Sequence, residues 1–368
     1  STLSYLIMQK RVERVDFSND TAIAQVRGDL SSPAYGSGAS GNASFGYWGG
    51  GYDTSVVRRV NYSNDTATGL RKGSLSRGLQ QAYFLSAFGS QEEGRQTSVK
   101  PPRKRFIDLA PEVLSPNVGP AYGYAMGGRK TPGNTDMSIT ERIDFSNDTT
   151  SPSPKGYLVS ARYARDGNHG TKDYGYLTGG ALYGYDFSPA GFANHVKSNT
   201  DRIDYSNDTA NLLARGPLVE KVEQGGTALN PSYAWMAGGD GSGYGPFNDH
   251  VSTIQRFDYG NDTAVWTVRS SLPYEVFGTR ATSSPSHGYY LGGHRTNATS
   301  PSTTYTNTLR LDFSNDTAGV TPKGTVNQPL SYPGGTLSAP SFAVTGNTDF
   351  GYLHGCLLYT SPSPRDLL

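Results

Sequence analysis

An all-β ring of repeated four-stranded antiparallel blades is the fold class this sequence predicts, on three observations. A polar stretch of the type Arg202-Ile203-Asp204-Tyr205-Ser206-Asn207-Asp208-Thr209 recurs along the chain. It also starts at Arg14, Arg59, Arg142, Arg256 (with Gly260 in place of Ser) and Arg310. An apolar-aromatic run closing on two glycines alternates with it. Finally, the chain is rich in Gly (46) and Tyr (25) and poor in Met (4), which favours short strands and tight turns over helices. Self-similarity of this kind marks a repeat architecture.

The Gly-Gly runs are assigned to the second strand of each blade. The good copies are Phe45–Gly50, Gly123–Gly128, Gly175–Gly180, Tyr233–Gly239 and Gly288–Gly293; an aborted copy begins at Phe350 and a degenerate one covers Ala82–Ala87. The Arg-x-Asp stretch is assigned to the third strand. Side chains alternate along a strand, so Ile143 and Phe145 take one face and Arg142 and Asp144 the other. The same split holds for Arg14/Asp16, Arg59/Asn61, Arg202/Asp204, Arg256/Asp258 and Arg310/Asp312. In a ring of blades both faces of each sheet are covered, and a charge buried there must be paired. Each Arg is therefore expected to pair with its own Asp or with backbone of the next blade. Ser-Asn-Asp-Thr suits the turn into the fourth strand, because Asn and Asp cap their own backbone. Fourth strands are expected over segments such as Ala210–Leu218. First strands are expected at Ala161–Tyr163 and Phe342–Val344.

Arg105-Phe106-Ile107-Asp108-Leu109 reads as a worn copy of the third strand. The middle positions then fall at 16, 61, 108, 144, 204, 258 and 312, with steps of 36 to 60 residues. A period near 50 residues with one Gly-Gly strand per period is a kelch-type signature. Over residues 1–355 the chain resembles kelch-repeat β-propellers. The best single repeat is Tyr289-Tyr290-Leu291-Gly292-Gly293, a loop, then Thr308–Phe313. Trp266 matches the aromatic that kelch repeats carry on the fourth strand; other copies lack it, so the family would be a divergent one. The Ser-Asn-Asp-Thr turn also resembles tandem repeats of marine bacteriophages and marine metagenomes.

Seven second strands and seven third strands predict a seven-bladed, kelch-like β-propeller. The chain begins near a third strand and ends on a second strand. The two ends are expected to share one blade through pairing of residues 11–17 with 349–355, which would remove the sheet edges that invite aggregation.

Residues 1–355 are read as one propeller, a size such rings reach as single units. Residues 356–368 are set aside, because Cys356–Asp366 resembles the translation of a transposon-type sequencing adapter. The one Cys lies in that tail, so thiol chemistry and Cys-ligated metal are not expected of the propeller. Ser1 stands where an initiator Met would be, the mark of a processed, subcloned or fragmentary chain. Charged residues make up 17% and the net charge is +1. No global field would draw the chain to nucleic acid or to a membrane surface, and no apolar run approaches the ~20 residues of a membrane span. Oligomeric state and compartment are not legible; a virion or extracellular setting fits the resemblance.

The long connections all follow Gly-Gly. They carry Tyr183, Tyr185, Phe187, Phe192, His195, Tyr244, Phe247, His250, Arg295 and Tyr305. Aromatics on loops over a rigid scaffold suit a recognition surface, though such residues also pack on one another to order their own loops. In a meander these connections emerge at the end opposite the Ser-Asn-Asp-Thr turns. No metal or other cofactor is expected. The six His residues show no ligand spacing, and one Ser-Asn-Asp-Thr turn offers too few oxygens for calcium. Asn-Asp-Thr is formally a glycosylation sequon that repetition of the fold explains. The basic run Lys100–Arg105 is read as a solvated loop. No Gly-x-Ser-x-Gly nucleophile is present, nor the Cys–Tyr pair of copper radical oxidases or the Asp-box turn of sialidases. The expected function is non-enzymatic recognition of a protein or glycan surface, or a virion fibre or adhesion role. The alternative is a glycan-active enzyme with a site over the central channel.

Overall fold

The computed structural model describes residues 5–8, 10–32, 37–50, 55–75, 86–89, 122–130, 135–162, 167–182, 196–241, 250–297, 300–327, 343–347, 349–354 and 357–360. These residues form six four-stranded antiparallel sheets, each a meander. Blade 1 takes its first two strands from the C-terminal part (Ala343–Gly346, Phe350–His354) and its last two from the N-terminal part (Arg11–Asp16, Gln25–Asp29). Blade 2 is Gly38–Gly41, Phe45–Gly49, Val56–Asn61 and Leu70–Ser74; blade 3 is Ser86–Gly89, Tyr122–Met126, Ile139–Asp144 and Ser153–Tyr157. Blade 4 is Asn168–Gly170, Tyr174–Thr178, Thr200–Asp204 and Leu213–Arg215; blade 5 is Gly226–Leu229, Tyr233–Ala237, Thr253–Asp258 and Thr267–Ser271. Blade 6 is Arg280–Ser283, His287–Asn297, Ser300–Asp312 and Val320–Thr325. First strands of successive blades touch all the way round, from blade 6 back to blade 1.

The chain ends do share a blade, with Val12 opposite His354 and Asp16 opposite Phe350. A further ladder pairs Tyr5–Met8 with Leu357–Thr360.

The expected count of seven blades is wrong: the ring has six. Of the degenerate run at Ala82–Ala87, expected as a second strand, only Ser86 and Ala87 are among the described residues, and they begin the first strand of blade 3, paired with Tyr122–Met126. The worn copy at Arg105–Leu109 and the basic run Lys100–Arg105 lie outside the described residues. The physical reason is that blades 2 and 3 are in direct contact: Arg59 donates to Asp148 at 2.7 Å, and Tyr47 stacks on Phe145 with centroids 4.4 Å apart. No sheet fits between Asn61 and Asp144.

The same contact is built six times. Each turn aspartate, buried in every blade but the fifth, where Asp262 is partly exposed, receives the third-strand Arg of the preceding blade: Arg310 reaches Asp20, Arg14 Asp65, Arg59 Asp148, Arg142 Asp208, Arg202 Asp262 and Arg256 Asp316. A fourth-strand Lys or Arg of that blade makes a second ion pair: Lys323, Arg27, Lys72, Lys155, Arg215 and Arg269, in the same order. In five of these sockets a second-strand tyrosine or tryptophan donates as well. Tyr352, Tyr47, Tyr124 and Tyr176 do so through the hydroxyl and Trp235 through Nε1. Four of these rings also stack on the aromatic that opens the next blade's turn, as Trp235 does on Phe313 at 4.2 Å; Tyr176 meets Tyr259 at a tilt of 32°. Offset aromatic pairs add to the area they bury.

The expected partner of the repeat Arg is thereby corrected: it is the turn carboxylate of the next blade. The Arg also lies over a second-strand ring, Arg202 over Tyr174 at 4.2 Å. The strand's own Asp does a separate job. Asp204 caps a short 3₁₀ turn, Tyr205–Asn207, by accepting from the Ser206 backbone N–H at 2.9 Å; Asp16, Asn61, Asp258 and Asp312 cap in the same way. Asp144 likewise accepts from Ser146 N–H at 2.8 Å. The ring residues at 17, 205, 259 and 313 therefore begin a turn instead of ending the strand.

Glycine explains two further features. Gly238 and Gly239 have φ of 66° and 119°, and a Cβ on Gly238 would lie 2.7 Å from the Val276 carbonyl. The Gly-Gly pair thus turns the chain where the next connection crosses it. Just after the fourth strand of blade 4, a Cβ on Gly216 would lie 1.7 Å from the Ala264 carbonyl of the next blade. Of Ala161–Tyr163, expected as a first strand, Tyr163 lies outside the described residues, and Ala161 and Arg162 belong to such a connection: the Arg162 carbonyl accepts from Gly128 N–H at 3.0 Å, and the first strand of blade 4 is Asn168–Gly170. The outermost strands are exposed edges. Pro154 and Pro322 lie on them, and the third-to-fourth-strand pairing carries a register shift in five blades. Proline and bulges are how edges resist pairing with other chains.

Candidate functional site

The third strand of each blade ends against the preceding first-to-second turn, as Tyr259 N–H to Ser232 carbonyl shows. The Ser-Asn-Asp-Thr turns therefore lie at one end of the ring. The connections after Gly-Gly lie at the other, where blades 5 and 6 depart from the repeat.

The first departure is a hairpin. The second and third strands of blade 6 run to 11 and 13 residues, against 5 and 6 in blade 5. Pairing continues past Gly293 through His294–Thr304, Arg295–Thr303 and Asn297–Ser300. Two predicted residues brace its base. Tyr305 stacks on Tyr274 with centroids 3.8 Å apart, and Arg295 Nη2 donates to Glu275 Oε2 at 3.2 Å. Burial first, then the neighbouring Tyr305, pushes the Tyr274 hydroxyl up to about 12.

The second departure is a buried polar row at the seam between blades 5 and 6. Glu223 pairs with Asp240, and Asp240 with His250, in short antiparallel bridges. Residues directly opposite share a face, so all three side chains lie on one side of this ladder. His250 Nδ1 is 3.9 Å from Asp240 Oδ2. His250 stacks on Phe277, centroids 4.5 Å apart, and Phe277 pairs with His294 in a further bridge. His294 Nδ1 lies 3.1 Å from Thr304 Oγ1. Burial first, then the nearby His250, lowers the His294 imidazole to about 4. Gln224 follows Glu223, and its carbonyl accepts from Gly278 N–H at 2.7 Å. Arg280, at the start of blade 6's first strand, is buried too.

Of the predicted loop residues, the structure brings His250 into this row and places Arg295 and Tyr305 on the hairpin. Tyr183, Tyr185, Phe187, Phe192, His195, Tyr244 and Phe247 lie outside the described residues. Glu223, Gln224, Asp240 and Arg280 escaped the sequence reading. A signal was present, because Leu218 to Gln224 and Leu272 to Gly278 have the same spacing, with Gln where the next repeat has Gly. Elsewhere buried histidines are structural: His169 bonds Thr178 Oγ1 at 2.9 Å, and His354 bonds the Arg11 carbonyl at 2.8 Å. Among the described residues no group of three or more His, Cys, Asp or Glu is placed to hold a metal ion, and no helix is long and apolar enough to cross a membrane.

No protein-family model matches the chain, and no curated protein matches it. The solved structure of YjhT is similar, with a TM-score of 0.60 at 11% identity, over 90% of this chain and 98% of that one. The likeness is one of fold. It supports the β-propeller architecture, which leaves function to the site.

Proposed function

We propose that the protein is a non-enzymatic recognition module of kelch-like build, contacting a protein or glycan surface through the end of the ring where the long connections emerge. A virion fibre or adhesion domain is the setting this reading favours. The observation that carries it is the extension of blade 6, whose second and third strands run to 11 and 13 residues against 5 and 6 in blade 5. What the ring needs is repeated, as the six aspartate sockets are; the hairpin of 11- and 13-residue strands occurs in blade 6. Binding residues are characteristically carried on such irregular connections over a rigid scaffold.

A combined glycan and protein-surface array tests the reading. Wild-type protein is expected to bind a restricted set of ligands. A variant with residues 294–304 replaced by a two-residue Asn-Gly turn is expected to lose that binding while keeping its fold. Retained binding in that variant would remove the hairpin from the surface.

One observation favours the enzyme reading: two buried carboxylates, Glu223 and Asp240, sit opposite each other. Release of reducing sugar from a glycan panel, abolished by Glu223→Gln, would establish it in place of recognition.

A further inference from the structure

Gln224 is the one non-glycine residue with positive φ among the described residues, at 62°. At the same place in the next repeat stands Gly278, at φ 69°. Both connections turn left-handed there, and a glutamine in that turn is strained where a glycine is not. The Gln224 side chain is also buried, at 3% exposure, and its Oε1 atom accepts no hydrogen bond. A buried amide oxygen without a partner is a cost that native structures rarely leave unexplained. Strain and an unmet acceptor thus coincide at one residue that the repeat would have allowed to be glycine. They coincide beside the Glu223–Asp240–His250 row.

The geometry points to a ligand site at this seam, formed by Gln224, Glu223, Asp240 and His250, for a neutral polyhydroxylated ligand: a single sugar unit, free or at the end of a glycan. The chemistry of this set selects that class. Carboxylates accept from hydroxyls, and an amide and an imidazole both donate and accept. Two carboxylates, Glu223 and Asp240, oppose phosphate and sulfate. The described residues offer no metal cluster. Gln224 would give its amide to the sugar, and the strain would be retained because glycine cannot make that bond. This site rests on the recognition reading and gives it a ligand class and an address.

The test uses the full chain, thermal shift and calorimetric titration. The probes are D-glucose, D-galactose, D-mannose and N-acetylglucosamine, with D-glucuronate and inorganic phosphate as charged controls. At least one neutral sugar is expected to raise Tm, and neither charged probe is. Gln224→Gly is expected to weaken that sugar at least tenfold while the ligand-free Tm stays level or rises, since Gly278 shows that glycine fits. Glu223→Gln provides a second loss of affinity. The site is overturned if no neutral sugar binds, if a charged probe binds more tightly, or if Gln224→Gly leaves affinity unchanged. Array binding that survives Gln224→Gly overturns this site and leaves the recognition reading standing; an empty array removes that reading itself.

Discussion

Arg59 Nη1 donates to Asp148 Oδ2 at 2.7 Å across 89 positions of sequence. This bond fixes which blades are neighbours. Its five counterparts close the ring, ending with Arg310 on Asp20 at 2.8 Å. The Ser-Asn-Asp-Thr repeat therefore carries the geometry of the ring through its aspartate.

The two aspartates of each repeat should differ in what they stabilise. Asp262 accepts from Arg202, Arg215 and Tyr176, and losing it strands all three donors at a blade seam. Asp262→Ala should cost about 3 kcal/mol. Asp204→Ala removes an exposed cap and should cost about 1 kcal/mol. Urea unfolding of the two variants checks this; equal costs would refute the division of labour.

Gly216 faces the Ala264 carbonyl so closely that any Cβ displaces backbone. Gly216→Ala should destabilise by about 1–3 kcal/mol. The same unfolding assay reads it, and a neutral result would mean that the seam is looser than described.

Acid should weaken the ring before it reaches the carboxylate range. Burial holds His169 at about 3 and His354 at about 4 in the folded state. Unfolded imidazole titrates near 6.5. Between those values the unfolded chain binds more protons, so the stability present above about pH 6.5 is lost as pH falls toward 4. The caps respond later. The Ser206 and Ser314 hydrogen bonds hold Asp204 and Asp312 below the usual carboxylate value, so their contribution is lost only below about pH 3.9. Scanning calorimetry should show Tm falling between pH 6.5 and 4.5, and falling less in His169→Gln. A flat Tm to pH 4.5 would contradict the assignment of neutral buried histidines.

The hairpin should be braced by its aromatic pair. Tyr305→Ala removes the stack on Tyr274. Amide exchange at residues 293–305 should accelerate at least tenfold, with blades 1 to 4 unaffected. Unchanged exchange would mean the strand pairing alone holds the hairpin.

Much of this was legible. The Gly-Gly second strands, the Arg-x-Asp third strands, the turn chemistry and the shared closing blade all follow from local spacing. The blade count was not, because Asn61 and Asp144 are separated by a long stretch containing two fragments that imitate the motifs. Local similarity cannot say whether such a fragment pairs. The partner of the repeat Arg was also missed, since a contact between blades leaves no mark in the spacing of one blade. Its other half was visible: a Lys or Arg stands seven residues after every turn aspartate, from Arg27 to Lys323. Glu223 and Gln224 were missed because they lie in a fourth-to-first-strand connection to which no role was assigned, although Gln224 breaks the glycine pattern there.

The most direct test of the six-bladed ring is a double-mutant cycle on Arg59→Ala and Asp148→Ala. Neighbouring blades predict a coupling of about 1–3 kcal/mol between them. Additive costs, with no coupling beyond error, would place another blade between residues 61 and 144 and contradict the account.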